Sequence, residues 1–227
     1  MKMNLKTFAA LTATLLPLTA FAASDAPKRL ETAAEAFKEV MGIPDKAIPQ
    51  DLLEKAECIV IIPDLKKGAF IVGGKYGKGF VSCRKKDGVG WSAPGSVRIE
   101  GGSVGFQIGA SEMDVFMLVM NDRGMDRLLG DKFTLGADAT VAAGPVGRVA
   151  QAETDARMTA EILAWSRARG LFAGIALNGA TLRQDDDWNQ DLYGKPLKNR
   201  EIVDGSVPAP RSAAPLLREL DRYSSRK

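Results

Sequence analysis

Between Pro27 and Gly42, apolar residues recur three and four positions apart, at Leu30, Ala33, Ala34, Phe37, Val40 and Met41. That spacing predicts an amphipathic helix, which Gly42 and Pro44 stop. A short helical turn is expected over Pro49 to Ala56. At Cys58 the period changes. Cys58 to Ile62 is a continuous apolar, β-branched run ended by Pro63-Asp64 and reads as a fully buried strand. Gly68 to Gly74 and Gly79 to Arg84 read as two further strands connected by GGKYGKG, with Lys85 to Gly88 as a turn. Val89 to Ser92, Ser96 to Glu100, Ser103 to Ala110 and Val115 to Met120 continue the β pattern.

Beyond Asn121 the pattern mixes. Arg123 to Leu129 reads as a short helix stopped by Gly130, and Phe133 to Val149 as strand or extended loop. Glu153 to Arg169 has the clearest helical reading. Met158, Ile162 and Trp165 fall on one face, Arg167 and Arg169 in the last turn, and Gly170 at the C′ position. Leu171 to Leu177 and Thr181 to Arg183 return to strand, and Asp185 to Asp187 open an acidic, capped segment reaching Gly194. Asp204 to Pro215 has linker composition, and Pro215 to Tyr223 predicts a short helix carrying Leu216, Leu217 and Leu220. Short strands without regular strand–helix alternation indicate an α+β fold. The expected sheet is glycine-rich, antiparallel or mixed and curled toward a barrel, and it packs with the N-terminal helix and one long helix. Glycine inside strand-forming sequence marks bulges, sharp bends or close backbone approach.

The first 22 residues stand apart. Lys2 and Lys6 precede an apolar core from Phe8 to Ala20, and Ala20-Phe21-Ala22 matches a small-x-small cleavage site, so this segment is expected to be a secretory signal peptide cut after Ala22. A single domain over 23–203 and a tail over 204–227 follow. The whole chain is formally +3; the first 22 residues hold two of those charges and no acid, leaving +1. That balance is unlike a nucleic-acid binder's. No later segment has the length and apolarity of a transmembrane span. Cys58 and Cys83 are the two cysteines. Each lies in a predicted strand of an exported chain, so a cross-strand disulfide and two buried thiols both fit the sequence.

The chain contains no histidine, which removes histidine-based general bases, Ser-His and Cys-His pairs and imidazole zinc sites. Gly101-Gly102-Ser103-Val104-Gly105 matches G-x-S-x-G, but a nucleophile elbow needs a histidine and a strand-to-helix turn. Ser82-Cys83-Arg84-Lys85 matches S-x-x-K, yet the accompanying K-T-G and S-D-N elements are missing and Ser82 lies in a β run. Gly73 to Gly79 fits no phosphate-loop register, and Asp185 to Asp187 lack calcium-loop spacing.

Several segments, in order, resemble the SYLF domain family: AECIVIIPDLKKGAFIVGGKYGKG, DGVGWSAPGSVRIEGGSVGFQIGASEMDVFMLVMN, FTLGADATVAAGPVGR and AEILAWSRARGLFAGIALNGATLR, within Asp51 to Lys198. The resemblance implies binding to membrane lipid without catalysis and without a cofactor. Eukaryotic members favour phosphoinositides and are linked to actin, so for an exported chain the expected partners are anionic phospholipid headgroups. An envelope protein that uses this chain as a scaffold is the alternative partner. The residues offer two candidate surfaces. One is the first helix, with Lys28 and Arg29 at its start and Phe37 in its apolar stripe. The other is a set of basic turns: Lys66-Lys67, Lys75 with Lys78, and Arg84-Lys85-Lys86. Core packing and solubilising turn charge are the ordinary explanations of the two sets.

Overall fold

The computed structural model describes residues 25–70, 72–86, 89–104, 109–147 and 160–224. The proposed signal peptide, Met158 and Arg148 lie outside them. Helix α1 (Ala26–Met41) begins with a proline in its first turn, which fits there because that N–H has no helical partner. It buries Leu30, Ala33, Ala34, Phe37 and Val40, the stripe expected from the spacing. Helix α2 (Gln50–Lys55) leads into β1 (Cys58–Phe70), β2 (Val72–Cys83), β3 (Gly95–Val104) and β4 (Gly109–Val119). Helix α3 (Asp122–Leu128) is capped by the Asn121 side chain, which accepts from the Gly124 N–H. Strands β5 (Lys132–Thr134), β6 (Val141–Ala143), β7 (Ile162–Ala168), β8 (Leu171–Gly174) and β9 (Thr181–Gln184) follow. Helix α4 (Asp186–Tyr193) is capped by Asp185 and ends at left-handed Gly194. The chain closes with α5 (Asn199–Val203) and α6 (Ala214–Ser224).

The strands form one nine-stranded sheet in the order β5-β9-β3-β2-β1-β4-β7-β6, with β8 also paired to β7. Among the described residues only the β6–β7 strand pair is parallel, so the sheet is mixed. Alternation along the strands builds two cores. Ile59, Ile61, Phe80, Phe116, Leu118, Leu163 and Trp165 pack with α1, α2 and α6 on the outer face. Val60, Ile62, Val81, Val97, Ile99, Val115, Met117 and Ile162 form the other cluster together with Phe133 and Leu182 from β5 and β9. Residues from distant strands meet in that second cluster because the sheet curls into a half-barrel around it. The class is therefore α+β, as expected.

The long helix expected over Glu153 to Arg169 is corrected. Ile162 to Ala168 is strand β7, paired with β4, and 151–159 lie outside the described residues. The helical spacing misleads because β7 is buried on both faces. Leu163 and Trp165 enter the outer core while Ile162 and Ala164 enter the inner one, so no polar alternation marks the strand. Arg167 and Arg169 accordingly cap no helix. Arg167 bonds Asp114 at 2.7 Å and pairs with Glu39 of α1, and Arg169 sits in the β7–β8 turn at φ 50°.

Two further corrections share one cause. Pro63-Asp64 does not end β1, and GGKYGKG is part of β2 rather than a connection. The β1 register slips at this point, with Asp64 at φ 50° and its N–H donating to Asp114 at 3.0 Å. The bulge pushes β1 against β2. A Cβ at Gly79 would stand 2.1 Å from the Ile61 carbonyl oxygen, and one at Gly77 2.9 Å from the Ile62 side chain. These glycines admit the bulge. The last helix is no free tail: Leu216 and Leu220 are buried, and Tyr223 packs edge-on to Phe37 at 6.0 Å between ring centres.

Cys58 and Cys83 are cross-strand neighbours joined by a disulfide. It closes a loop of sequence separation 25, which the chain-entropy description values at about 3 kcal/mol. Replacing both cysteines by alanine is expected to lower unfolding free energy by about that amount in urea titration. Gly79→Ala is expected to cost about 3 kcal/mol or more, because backbone must move. At Gly102 a Cβ would meet nothing within 4 Å; Gly102→Ala should stay within about 1 kcal/mol of the parent.

Candidate membrane-facing site

Four central strands outrun their neighbours at one end. β7 pairs with β4 only over Asp114 to Val119, and β9 with β3 only over Val97 to Glu100. Lys66 onward in β1, β2 up to Tyr76, Gly101 onward in β3 and β4 up to Met113 therefore project as a four-stranded extension. Its cross-strand rows can be read from the register. On the outer face, Glu112, Lys66, Tyr76 and Glu100 lie side by side. On the concave face the row is Ser111, Lys67, Lys75 and Gly101. Past them, Gly68, Gly74 and Gly102 stand opposite one another.

One row inward on the outer face, Lys78 lies opposite Arg98, Arg98 opposite Arg183, and Arg183 opposite Lys132. Four cations thus form a ladder across four strands, an arrangement that costs stability through like-charge repulsion. Lys78 is partly relieved by Asp185 at 2.8 Å and lies 4.5 Å above the Trp188 ring; Arg183 pairs with Glu100 at 2.8 Å. A groove of about 330 Å³ beside the ladder is lined by Arg29, Lys66, Tyr76, Lys78 and Trp188 along with Asp25 and Asp64. Arg29 bonds Asp64 at 2.8 Å, Lys66 faces Glu112 at 3.7 Å, and Lys28 borders an adjoining recess with Thr32. Tyr76 is 48% exposed. The result is a basic outer surface with an aromatic rim.

The structure thus gathers Lys28, Arg29, Lys66 and Lys78 on the outer face and sets Lys67 and Lys75 on the concave face of the same extension. It separates the rest. Phe37 is fully buried against the sheet and Tyr223, so α1 turns its apolar stripe inward. Arg84, Lys85 and Lys86 follow the far end of β2, which lies roughly 26 Å from Lys75 at about 3.3 Å per strand residue. Arg84 is buried, donating to the carbonyls of Leu53 at 2.8 Å, Ala56 at 3.4 Å and Ser224, with its guanidinium 3.9 Å from the centre of the Trp91 ring. It ties α2 and α6 to the sheet. Lys85 lies near Asp221, whose carboxyl is pushed up by burial and pulled partly back by Lys85 and Arg84. Ser82, of the S-x-x-K match, is buried and donates its hydroxyl proton to the Ser92 carbonyl at 2.8 Å.

Arg98, Arg183 and Lys132 escaped the sequence reading. They lie dozens of residues apart, and only strand register makes them neighbours. Titration behaviour marks two places in this region. Burial, then the neighbouring Lys67, lowers the Lys75 pKa. Burial raises that of Asp114 against the opposing hydrogen bond from the Asp64 N–H. Among the described residues no cluster of potential ligands could hold a metal, and no helix is long and apolar enough to cross a membrane.

Residues 100–223 match the profile of a family described as Ysc84, Las17-binding protein actin regulator. The chain is similar to the human SH3 domain-containing YSC84-like protein 1, with 34% identity over 184 residues covering 81% of this chain and 53% of the relative. It is also similar to Saccharomyces cerevisiae Protein YSC84, at 34% over 181 residues, 78% of this chain and 38% of the relative. LAS seventeen-binding protein 3 of the same species is 33% identical over 181 residues. The chain spans about half or less of these relatives' length.

Arg84→Met is expected to cost about 3 kcal/mol in chemical denaturation, since buried carbonyls lose their donor. Lys85→Ala with Lys86→Ala should change stability by no more than about 0.5 kcal/mol, typical of exposed positions.

Proposed function

Because the chain belongs to the Ysc84 (SYLF-type) family of actin-regulator-type, lipid-binding proteins, we propose that it associates, without catalysis, with anionic lipid headgroups at a membrane surface. The observation that carries this reading is the ladder of Lys78, Arg98, Arg183 and Lys132 on the outer face, one row inward from Lys66 and the projecting extension; like charges in adjacent strands cost stability, which Asp185 and Glu100 partly offset at Lys78 and Arg183. An external anion would offset the repulsion along this row further than the protein's own carboxylates do. Near an anionic surface each cation contributes about 1 kcal/mol, falling with salt as counterions screen it. Tyr76, exposed beside Lys66, supplies an amphipathic ring at the depth of the headgroups.

The non-enzymatic reading is supported by the absence of histidine and by a Ser82 hydroxyl committed to a carbonyl. The disulfide and the basic-then-apolar first 22 residues support an exported location, where thiols oxidise and persist as disulfides. A periplasmic or secreted chain resting peripherally on a membrane fits both.

Two variants with the same net charge change separate position from total charge: Lys66→Glu with Arg98→Glu, and Lys85→Glu with Lys86→Glu. In co-sedimentation with phosphatidylglycerol-containing vesicles at low salt, the first pair should lose at least roughly thirtyfold in affinity, from about 1 kcal/mol for each of the two cations removed, with repulsion of the added carboxylates on top. The second should bind like the parent. Equal losses would mean that only net charge matters. No pelleting of the parent with any anionic vesicle would overturn the lipid reading and turn attention to an envelope protein partner.

A further inference from the structure

Residues 204–211, which fall in the stretch of linker composition, help to line a cavity of about 700 Å³. Its apolar lining comes from Leu192 and Tyr193 of α4, from Leu197, and from Val207, Pro208 and Pro210. That volume suits a small organic molecule or a few residues of peptide. Tyr193 is fixed by its polar end: its hydroxyl donates to the Pro94 carbonyl at 2.7 Å, and burial pushes the phenol pKa up. Pro94 precedes β3, seven residues before the projecting extension begins at Gly101, or roughly 23 Å at about 3.3 Å per strand residue. The cavity therefore lies at the opposite end of the sheet from the extension.

Prolines at 208 and 210 hold the residues before them, Val207 and Ala209, in extended conformations. Pro210 itself is extended at φ −66° and ψ 152°. The prolines have no N–H, and among the described residues the N–H groups of Val207 and Ala209 donate to no acceptor. Donors two residues apart on an extended chain are the set that one neighbouring extended segment takes up. The charged lining divides between engaged acids and open cations. Glu201 accepts the Lys198 N–H at 3.1 Å, and Asp204 accepts the Ser206 N–H at 2.8 Å. Lys195 and Arg211 also line the cavity and have no hydrogen-bond or ion-pair partner among the described residues. Two cations thus stand open, while the two acids beside them disfavour a ligand of high negative charge.

We propose that this cavity receives the free carboxyl terminus of an extended, apolar polypeptide. The terminal carboxylate pairs with Lys195 and Arg211, backbone carbonyls of the incoming chain accept from Val207 and Ala209, and its last side chain packs on Leu192 and Leu197. Arginine offers a fork that matches a carboxylate, and hydrogen bonds between charged groups are stronger than neutral ones. A phosphate would bring nearly two negative charges beside Glu201 and Asp204, whereas a chain terminus brings one. An internal loop carries no terminal charge and leaves both cations unanswered. The assignment does not depend on the membrane reading. With the cavity and the basic extension at opposite ends of the sheet, a partner's terminus and a membrane surface can be held together, which makes the chain an adaptor.

The test titrates the parent and Lys195→Met/Arg211→Met with the peptide Ac-AAVAL, as its free acid and as its C-terminal amide. The parent is expected to bind the acid about tenfold or more tightly than the amide, from the charge-assisted contacts that the amide lacks. The acid should shift the amide resonances of residues 197, 207, 209 and 211 and leave those of 66 and 98 in place. The double variant should bind acid and amide alike. It should melt with the parent, since both positions are exposed. Equal affinity of the parent for the two forms, a preference that survives in the variant, or no shift at these residues would overturn the site. N-acetyl-leucine is expected to bind much more weakly than the peptide; equal binding would make the ligand a small organic carboxylate and overturn the polypeptide assignment. Tighter binding of inorganic phosphate than of the peptide acid would overturn the choice of a carboxylate.

Discussion

From Cys58 to Ile62, β1 has no face toward water. Ile59 and Ile61 enter the core beneath the helices, while Cys58, Val60 and Ile62 enter the core enclosed by the sheet. A strand in that position requires a cover on each side, and the chain supplies two different ones. Helices α1, α2 and α6 close the outer face, and the curl of the sheet itself closes the inner one. Burying five such side chains contributes on the order of 10 kcal/mol, so both covers are held by the same residues. The features that look local, among them the disulfide at the start of β1, the bulge at Pro63-Asp64 and the buried Arg84, all sit where one cover meets the strand.

The sequence made this architecture legible wherever one face of an element is wet. Helix α1 announces itself by its stripe, α4 by Asp185 and Gly194, and α6 by Leu216 and Leu220, because polar residues mark the opposite face of each. It misled where both faces are dry. β7 looks helical for that reason, and the bulged passage of β1 looks like two strands because Pro63-Asp64 resembles a terminator. Glycines 77 and 79 read as part of a strand connection in GGKYGKG; that they admit a close backbone approach inside β2 follows only from the register. The pairing of Cys58 with Cys83 was likewise open until register made them neighbours.

The candidate site shows the same division. Lys66, Lys67, Lys75 and Lys78 lie close together in sequence and could be suspected as a group. Arg98, Arg183 and Lys132 could not, since two strand pairings, β3 with β9 and β9 with β5, make them neighbours. Phe37 and Arg84 carry membrane-like chemistry but were taken into the core. A lone aromatic in a helix stripe and a lone arginine after a strand give no sign of which way they turn.

The projecting extension has edges along β3 and β4 that carry no second strand partner among the described residues. Small, flat, glycine-rich edges of this kind are templates for another chain to add a strand. Lysines one and two rows behind such an edge repel an incoming copy, because the copy brings the same lysines. On the membrane reading proposed above, an anionic surface that neutralises these lysines would lessen the repulsion between the edges of neighbouring copies.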